Sequence, residues 1–144
     1  MKVNATMRVP PVRKIYPVLH CSTLAAILPL MIKYMSIPRV LALLEPKKGY
    51  SNGSVKACEL AHIAGSVVRR LPRFGIGECL FRSLVLYNLL LKFTYHPVLM
   101  LGGKLSDGAL DCHCWIEVDG KPLCESNDPS KQFKVLYAYG HDKI

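Results

Sequence analysis

Between Glu78 and Lys92 the chain carries Leu80, Phe81, Leu84, Val85, Leu86, Tyr87, Leu89, Leu90 and Leu91, positions that cover nearly every side of a helix. A helix apolar all round has no face to give to water, so it belongs at the centre of the fold with other elements packed about it. With 144 residues, 51% of them hydrophobic, the chain is long enough for one domain with a sizeable core and too short for two ordinary ones.

The flanking segments supply that packing. Ala57, Leu60, Ala61, Ala64, Val67, Val68 and Leu71 recur at three- and four-residue steps, predicting an amphipathic helix capped by Ser54 and ended by Pro72. Helical pieces are expected over residues 16–44, broken near Pro29 and Pro38, where proline removes a donor and clashes with the preceding turn. Residues 1–14 read as a loose basic arm, and 46–53 as a loop.

After Tyr95 the pattern changes period. Pro97–Leu101, Cys112–Val118 and Lys121–Glu125 read as strands, with turns at Ser106–Ala109 and Asp119-Gly120, and Val135–Tyr139 adds an edge strand. The expected fold class is α+β: N-terminal helices, then a central helix packed on a small antiparallel sheet. Residues 1–45 form an arm and apolar helical segment suited to docking, and 54–144 the main domain, the two packed as one unit.

The net charge of +9 favours acidic partners through long-range steering. Nucleic acid is not expected, because the basic residues are scattered and no aromatic platform interleaves with them. The apolar run from Ile15 to Met35 is interrupted by Pro17, His20, Pro29 and Lys33, so a transmembrane segment is not expected either. Without a clear cleavage site, a secretory signal is not expected. Six cysteines in a chain this apolar suggest a reduced cytoplasmic protein rather than a disulfide framework.

Chemistry concentrates in two places. Cys79 opens the central helix, where unpaired N–H groups and the helix dipole stabilise a thiolate. His113 lies on a strand whose alternation puts His113, Trp115 and Glu117 on one face and Cys112, Cys114, Ile116 and Val118 on the other. That parity separates His113 from its neighbouring cysteines, which read as core, and argues against a metal site; no cofactor motif is present. Arg82 and Ser83, one turn beyond Cys79, face the same side and are candidates to line a cleft.

An acid is needed to orient the imidazole. A two-residue loop at Asp119-Gly120 pairs Glu125 with Cys114, whereas a three-residue loop Val118–Gly120 puts Glu125 across from His113. Asp128, before Pro129, is the other candidate.

The block Cys79-Leu-Phe-Arg-Ser-Leu, followed by His113-Cys-Trp-Ile-Glu-Val-Asp-Gly-Lys-Pro-Leu, resembles the lasso-peptide leader peptidases, cysteine proteases of the transglutaminase-like superfamily, best over residues 57–133. The resemblance implies a papain-like or transglutaminase-like core with Cys79 as nucleophile and His113 as general base. It places Glu125 where the family usually has an aspartate, and so favours the three-residue loop. It also implies partners: a ribosomally made precursor peptide, a small leader-binding protein and an asparagine-synthetase-like cyclase. Two alternatives are a transglutaminase-like acyl transferase and a non-catalytic basic adaptor in which Cys79 is core.

Overall fold

The computed structural model describes residues 11–47, 55–72 and 75–140, with side chains from Ile15 onward. Four helices, α1 (Pro11–Tyr34), α2 (Ile37–Leu44), α3 (Ala57–Arg70) and α4 (Glu78–Lys92), precede an antiparallel sheet of β1 (Pro97–Ser106), β2 (Ala109–Val118), β3 (Lys121–Pro122) and β4 (Lys134–Gly140). The strand order is β3-β2-β1-β4. This is the expected α+β plan. Of the loose arm expected over 1–14, residues 11–14 are instead the start of α1, while residues 1–10, the Ser54 cap and most of the 46–53 loop lie outside the described residues.

Helix α4 is the centre that its composition requires. Phe81, Leu84, Val85, Leu89 and Leu90 are fully buried, against Cys21, Ala25 and Leu28 of α1, Val40 and Leu41 of α2, Leu60 and Ala64 of α3, and Leu99 and Ile116 of the sheet. Each large side chain so buried contributes about 1.5–3 kcal/mol relative to exposure. One polar pin fixes the helical layer: buried Asn88 donates from Nδ2 to the Leu44 carbonyl and accepts at Oδ1 from His20 Nε2. Since the amide oxygen accepts, His20 carries its proton on Nε2.

Of the two breaks expected in the N-terminal helices, the one near Pro38 is present and the one near Pro29 is not. Helix α1 runs through Pro17 and Pro29, and the break falls at Met35-Ser36, before Pro38 in the first turn of α2. A missing N–H costs one hydrogen bond, and burial of Cys21, Ala25 and Leu28, between the two prolines, anchors α1 on the core. Residues Ile15–Tyr34, with a mean hydropathy of 1.8, are long and apolar enough to cross a membrane, against the expectation that no such stretch exists. One stripe of this helix is core, while Leu19, Ile27, Leu30 and Tyr34 are half-exposed or more.

Three sheet details depart from the sequence reading. β1 and β2 are longer than expected and meet at Asp107-Gly108, both left-handed, the two-residue turn that matches strand twist. β3 is shorter, only Lys121–Pro122 rather than Lys121–Glu125. The second hairpin has the two-residue register, Val118 opposite Lys121, about left-handed Asp119 and Gly120.

The cysteines also divide differently. Cys58 on α3 and Cys124 after β3 form a disulfide with Cα atoms 5.9 Å apart, so the expectation of a wholly reduced set is corrected. Cys112 is exposed, not core; Cys114 and Cys21 are buried.

Candidate functional site

Cys79 is the second residue of α4, behind Gly77, which has no side chain with which to cap the first turn. The helix head meets β2 where β3 has already ended. Alternate residues of a strand direct their N–H and C=O groups to the same edge. The Ile116 carbonyl accepts from Leu123 N–H at 2.8 Å on the β3 side, so the Cys114 N–H points to that side too, beyond the last β3 residue. The Cys114 thiol and the Cys114 and Leu80 backbone N–H groups are the donors that act on the Cys79 sulfur.

These donors set the nucleophile's charge. The Cys114 S–H donor contributes most, burial opposes it, and the two backbone N–H groups and the positive charge of His113 add to it. Together they bring the Cys79 thiol from an ordinary 9.0 down to about 5. Cys114 moves the opposite way: donation to Cys79 and burial hold it as a thiol. Strand parity had assigned Cys114 to the core. It is buried, but because Cys79 sits at the sheet edge rather than over one face, Cys114 also belongs to the site.

His113 stands on the other face of β2, half-buried between Trp115, stacked at 6.0 Å, and Phe133, at 5.4 Å between ring centroids. Gly102 is its partner on β1, and a Cβ there would lie 2.7 Å from Phe133 Cβ and 2.8 Å from Trp115 Cζ3. Only glycine leaves room for the aromatic pair that fixes the imidazole. Trp115 is in turn anchored, its Nε1 donating to Glu117 at 3.1 Å.

Glu125 reaches this histidine by a route that strand periodicity does not contain. In the observed register a regular strand would carry Glu125 opposite Cys114, on the wrong face. The ladder stops at Pro122, however, and Cys124 is left-handed, with φ 54°, which reverses the parity of the next residue. Glu125 Oε1 therefore lies 3.8 Å from His113 Nε2 and 3.5 Å from Arg82 Nη2. The structure brings together the pair expected from the sequence, though in the two-residue register that was expected to part them.

Two features hold Glu125 in place. Arg82, one turn along α4 from Cys79, pairs with the carboxylate, and the Cys58–Cys124 bond ties the preceding residue to α3. Asp128 acts locally instead: its Oδ1 accepts from Ser130 N–H at 3.0 Å and from Ser130 Oγ at 2.7 Å. Those bonds hold its carboxyl below the usual range and cap the short helical turn Pro129–Lys131.

Beside the site a cleft of about 220 Å³ opens between α3 and α4, walled by His62, Arg69, Glu78, Arg82, Trp115 and Glu125. Ser83, at its base, is buried. Among the described residues no group of three or more His, Cys, Asp or Glu side chains is arranged to hold a metal ion.

A thiolate at the head of a buried helix, an imidazole on the adjacent strand and a carboxylate beyond it define the papain-like and transglutaminase-like class of thiol architectures. Consistent with that class, the transglutaminase-like superfamily profile matches residues 23–138, and the chain belongs to this superfamily. No curated protein and no solved structure matches the chain.

Proposed function

We propose that the protein is a cysteine endopeptidase that removes the leader from a ribosomally made lasso-peptide precursor. The observation that carries this reading is the charge-stabilised Cys79 beside the His113–Glu125 pair. Its two motifs, around Cys79 and His113, have the spacing seen in the leader peptidases they resemble.

The chemistry follows from the groups present. Cys79 thiolate attacks the scissile carbonyl, and the Cys79 N–H at the uncapped helix head donates to the developing oxyanion. His113 gives its proton to the departing amine, then takes one from the water that hydrolyses the thioester. Glu125 orients the imidazole through Nε2, and Arg82 keeps the longer glutamate side chain extended toward it. The cleft beside Glu125 receives the side chains flanking the cut bond.

The leader would be presented by a small leader-binding protein, and the freed core passed to an asparagine-synthetase-like cyclase. The half-exposed apolar stripe of α1 and the positive charge are the surfaces proposed for those partners, in the cytoplasm where the precursor is made. The test is incubation of the precursor with the protein and its leader-binding partner, followed by mass spectrometry. A leader with a free carboxylate and an intact core support the peptidase; a new amide on an added amine would instead make it an acyl transferase. Unchanged processing by a folded Cys79→Ala variant overturns both.

A further inference from the structure

β2 keeps an open edge that leads to the site. β3 pairs with it only at Glu117 and Val118, and one further bond joins Leu123 N–H to the Ile116 carbonyl. Among the described residues no strand lies beside the rest of β2 on that side. Cys114, Cys112 and Leu110 share the parity of Ile116, so their N–H and C=O groups point away from β1, to this edge. Ala109–Cys112 are exposed. We propose, on the leader-peptidase reading, that this edge holds the substrate backbone: the first residues after the cut bond, the start of the core peptide, add to β2 as an antiparallel strand along Cys114, Cys112 and Leu110.

Position and direction select that occupant. Arg82, one turn beyond Cys79 on α4, lies 3.5 Å from Glu125, which lies 3.8 Å from His113 on β2. The helix head that carries the nucleophile therefore stands level with the start of the open edge. β3 runs antiparallel to β2 along the same edge and leaves it at Cys124, where φ is 54°. A peptide that continues in this sense, the more stable one per residue, runs from the level of His113 toward Leu110. What it lays along the edge is thus C-terminal to the bond presented to Cys79. Main-chain bonds of this kind give affinity, and alternate side chains give specificity.

The sheet supplies the specificity surface as well. Leu110, its β1 partner Leu105, and Leu136 of β4 are each more than half exposed. A Cβ on Gly103 would lie 3.3 Å from Leu110 Cδ1 and 2.8 Å from Leu136 Cδ1, so these leucines close over that glycine into one apolar shelf. An added strand sets every second side chain on the shelf's face, and apolar residues there cover it. Native chains blunt an exposed edge with proline, charge or a bulge. Ala109–Cys114 has no proline, an unbroken register with β1, and one acidic residue, Asp111, already 4.0 Å from Lys104.

The test is amide hydrogen exchange, read residue by residue by NMR, on the full-length Cys79→Ala protein with uncut precursor and its leader-binding partner. The expected result is slowing of the Leu110 and Cys112 amides by at least about tenfold, with no change at Asp111, whose N–H faces β1. In precursor cleavage, Cys112→Pro removes an edge donor that no strand of the sheet uses and raises KM about two- to tenfold at unchanged kcat; Cys112→Ser does neither. Exchange decides alone where the proline variant does not fold. Edge amides that exchange equally fast with and without precursor, while wild type cleaves it, overturn the proposal and leave the peptidase standing. Slowing by the partner alone, or slowing that grows with protein concentration in the absence of precursor, gives the edge to the partner or to a second copy and overturns it too. Precursor left intact by wild type fails the leader-peptidase reading, and this assignment with it.

Discussion

Replacing Cys114 by alanine removes the largest single cause of the low Cys79 thiol pKa and leaves the two backbone donors in place. A hydrogen bond to a charged group is worth about 1.5–3 kcal/mol. At about 1.4 kcal/mol per unit, its loss raises the thiol by about one to two units, toward 6–7, from about 5. Burial, the opposing cause, changes little for so small a truncation. Cys114→Ser keeps a donor of similar reach, so its Cys79 stays close to the wild-type value. The assay is the pH dependence of Cys79 alkylation by iodoacetamide, read at the Cys79 peptide so that exposed Cys112 does not contribute. A midpoint that is the same in Cys114→Ala and wild type, or a serine variant that shifts as far as the alanine one, refutes the hydrogen-bond account of this thiolate.

Three further outcomes are expected. Glu125→Gln lowers kcat/KM by about two to four orders of magnitude by removing the carboxylate that orients the base; Arg82→Gln, acting through Glu125, lowers it less and has no effect in the Glu125→Gln background, and additive losses would separate the two residues. Opening the 66-residue separation closed by Cys58–Cys124 by replacing both with alanine lowers stability by up to about 4 kcal/mol in the chain-entropy account, visible as a lower denaturation midpoint. In the wild-type chain, alkylation in denaturant of freshly lysed cells reports four modified thiols where the bond is closed and six where it is open. Because Cys79 is held below its ordinary value, the charged form is favoured in the folded chain. Its stabilisation is full above about pH 9 and is lost as pH falls to about 5. Cys114, which is raised, does not act in that window. Stability measured by urea unfolding should therefore rise with pH between those limits, and more steeply in wild type than in Cys79→Ala.

What was legible in the sequence was local. The apolar circumference of Leu80–Leu91 placed α4 at the centre, and the position of Cys79 at its head and of His113 on an alternating strand followed without tertiary information. What was not legible depended on single torsions or long-range pairing. A left-handed φ at Cys124, a residue with no special freedom there, carries Glu125 to the His113 face in a register that alternation had ruled out. The Cys58–Cys124 bond joins residues 66 apart in sequence, which spacing alone does not identify. Cys114 was assigned by parity to the far face from His113, and parity says nothing about a group that approaches the strand from its edge. Pro29 looked like a break because its cost is local, whereas the burial that offsets it is tertiary.

The central claim is that Cys79 becomes acylated by the leader during cleavage. Acid quenching of the reaction with precursor, followed by intact-mass analysis and peptide mapping, measures this directly. The account predicts a leader-sized thioester on Cys79 in the acid-quenched wild-type reaction, absent in Cys79→Ala and, because His113 must first protonate the departing amine, absent also when His113 is replaced. Leader release by Cys79→Ala at the wild-type rate, with no adduct at residue 79, would contradict it.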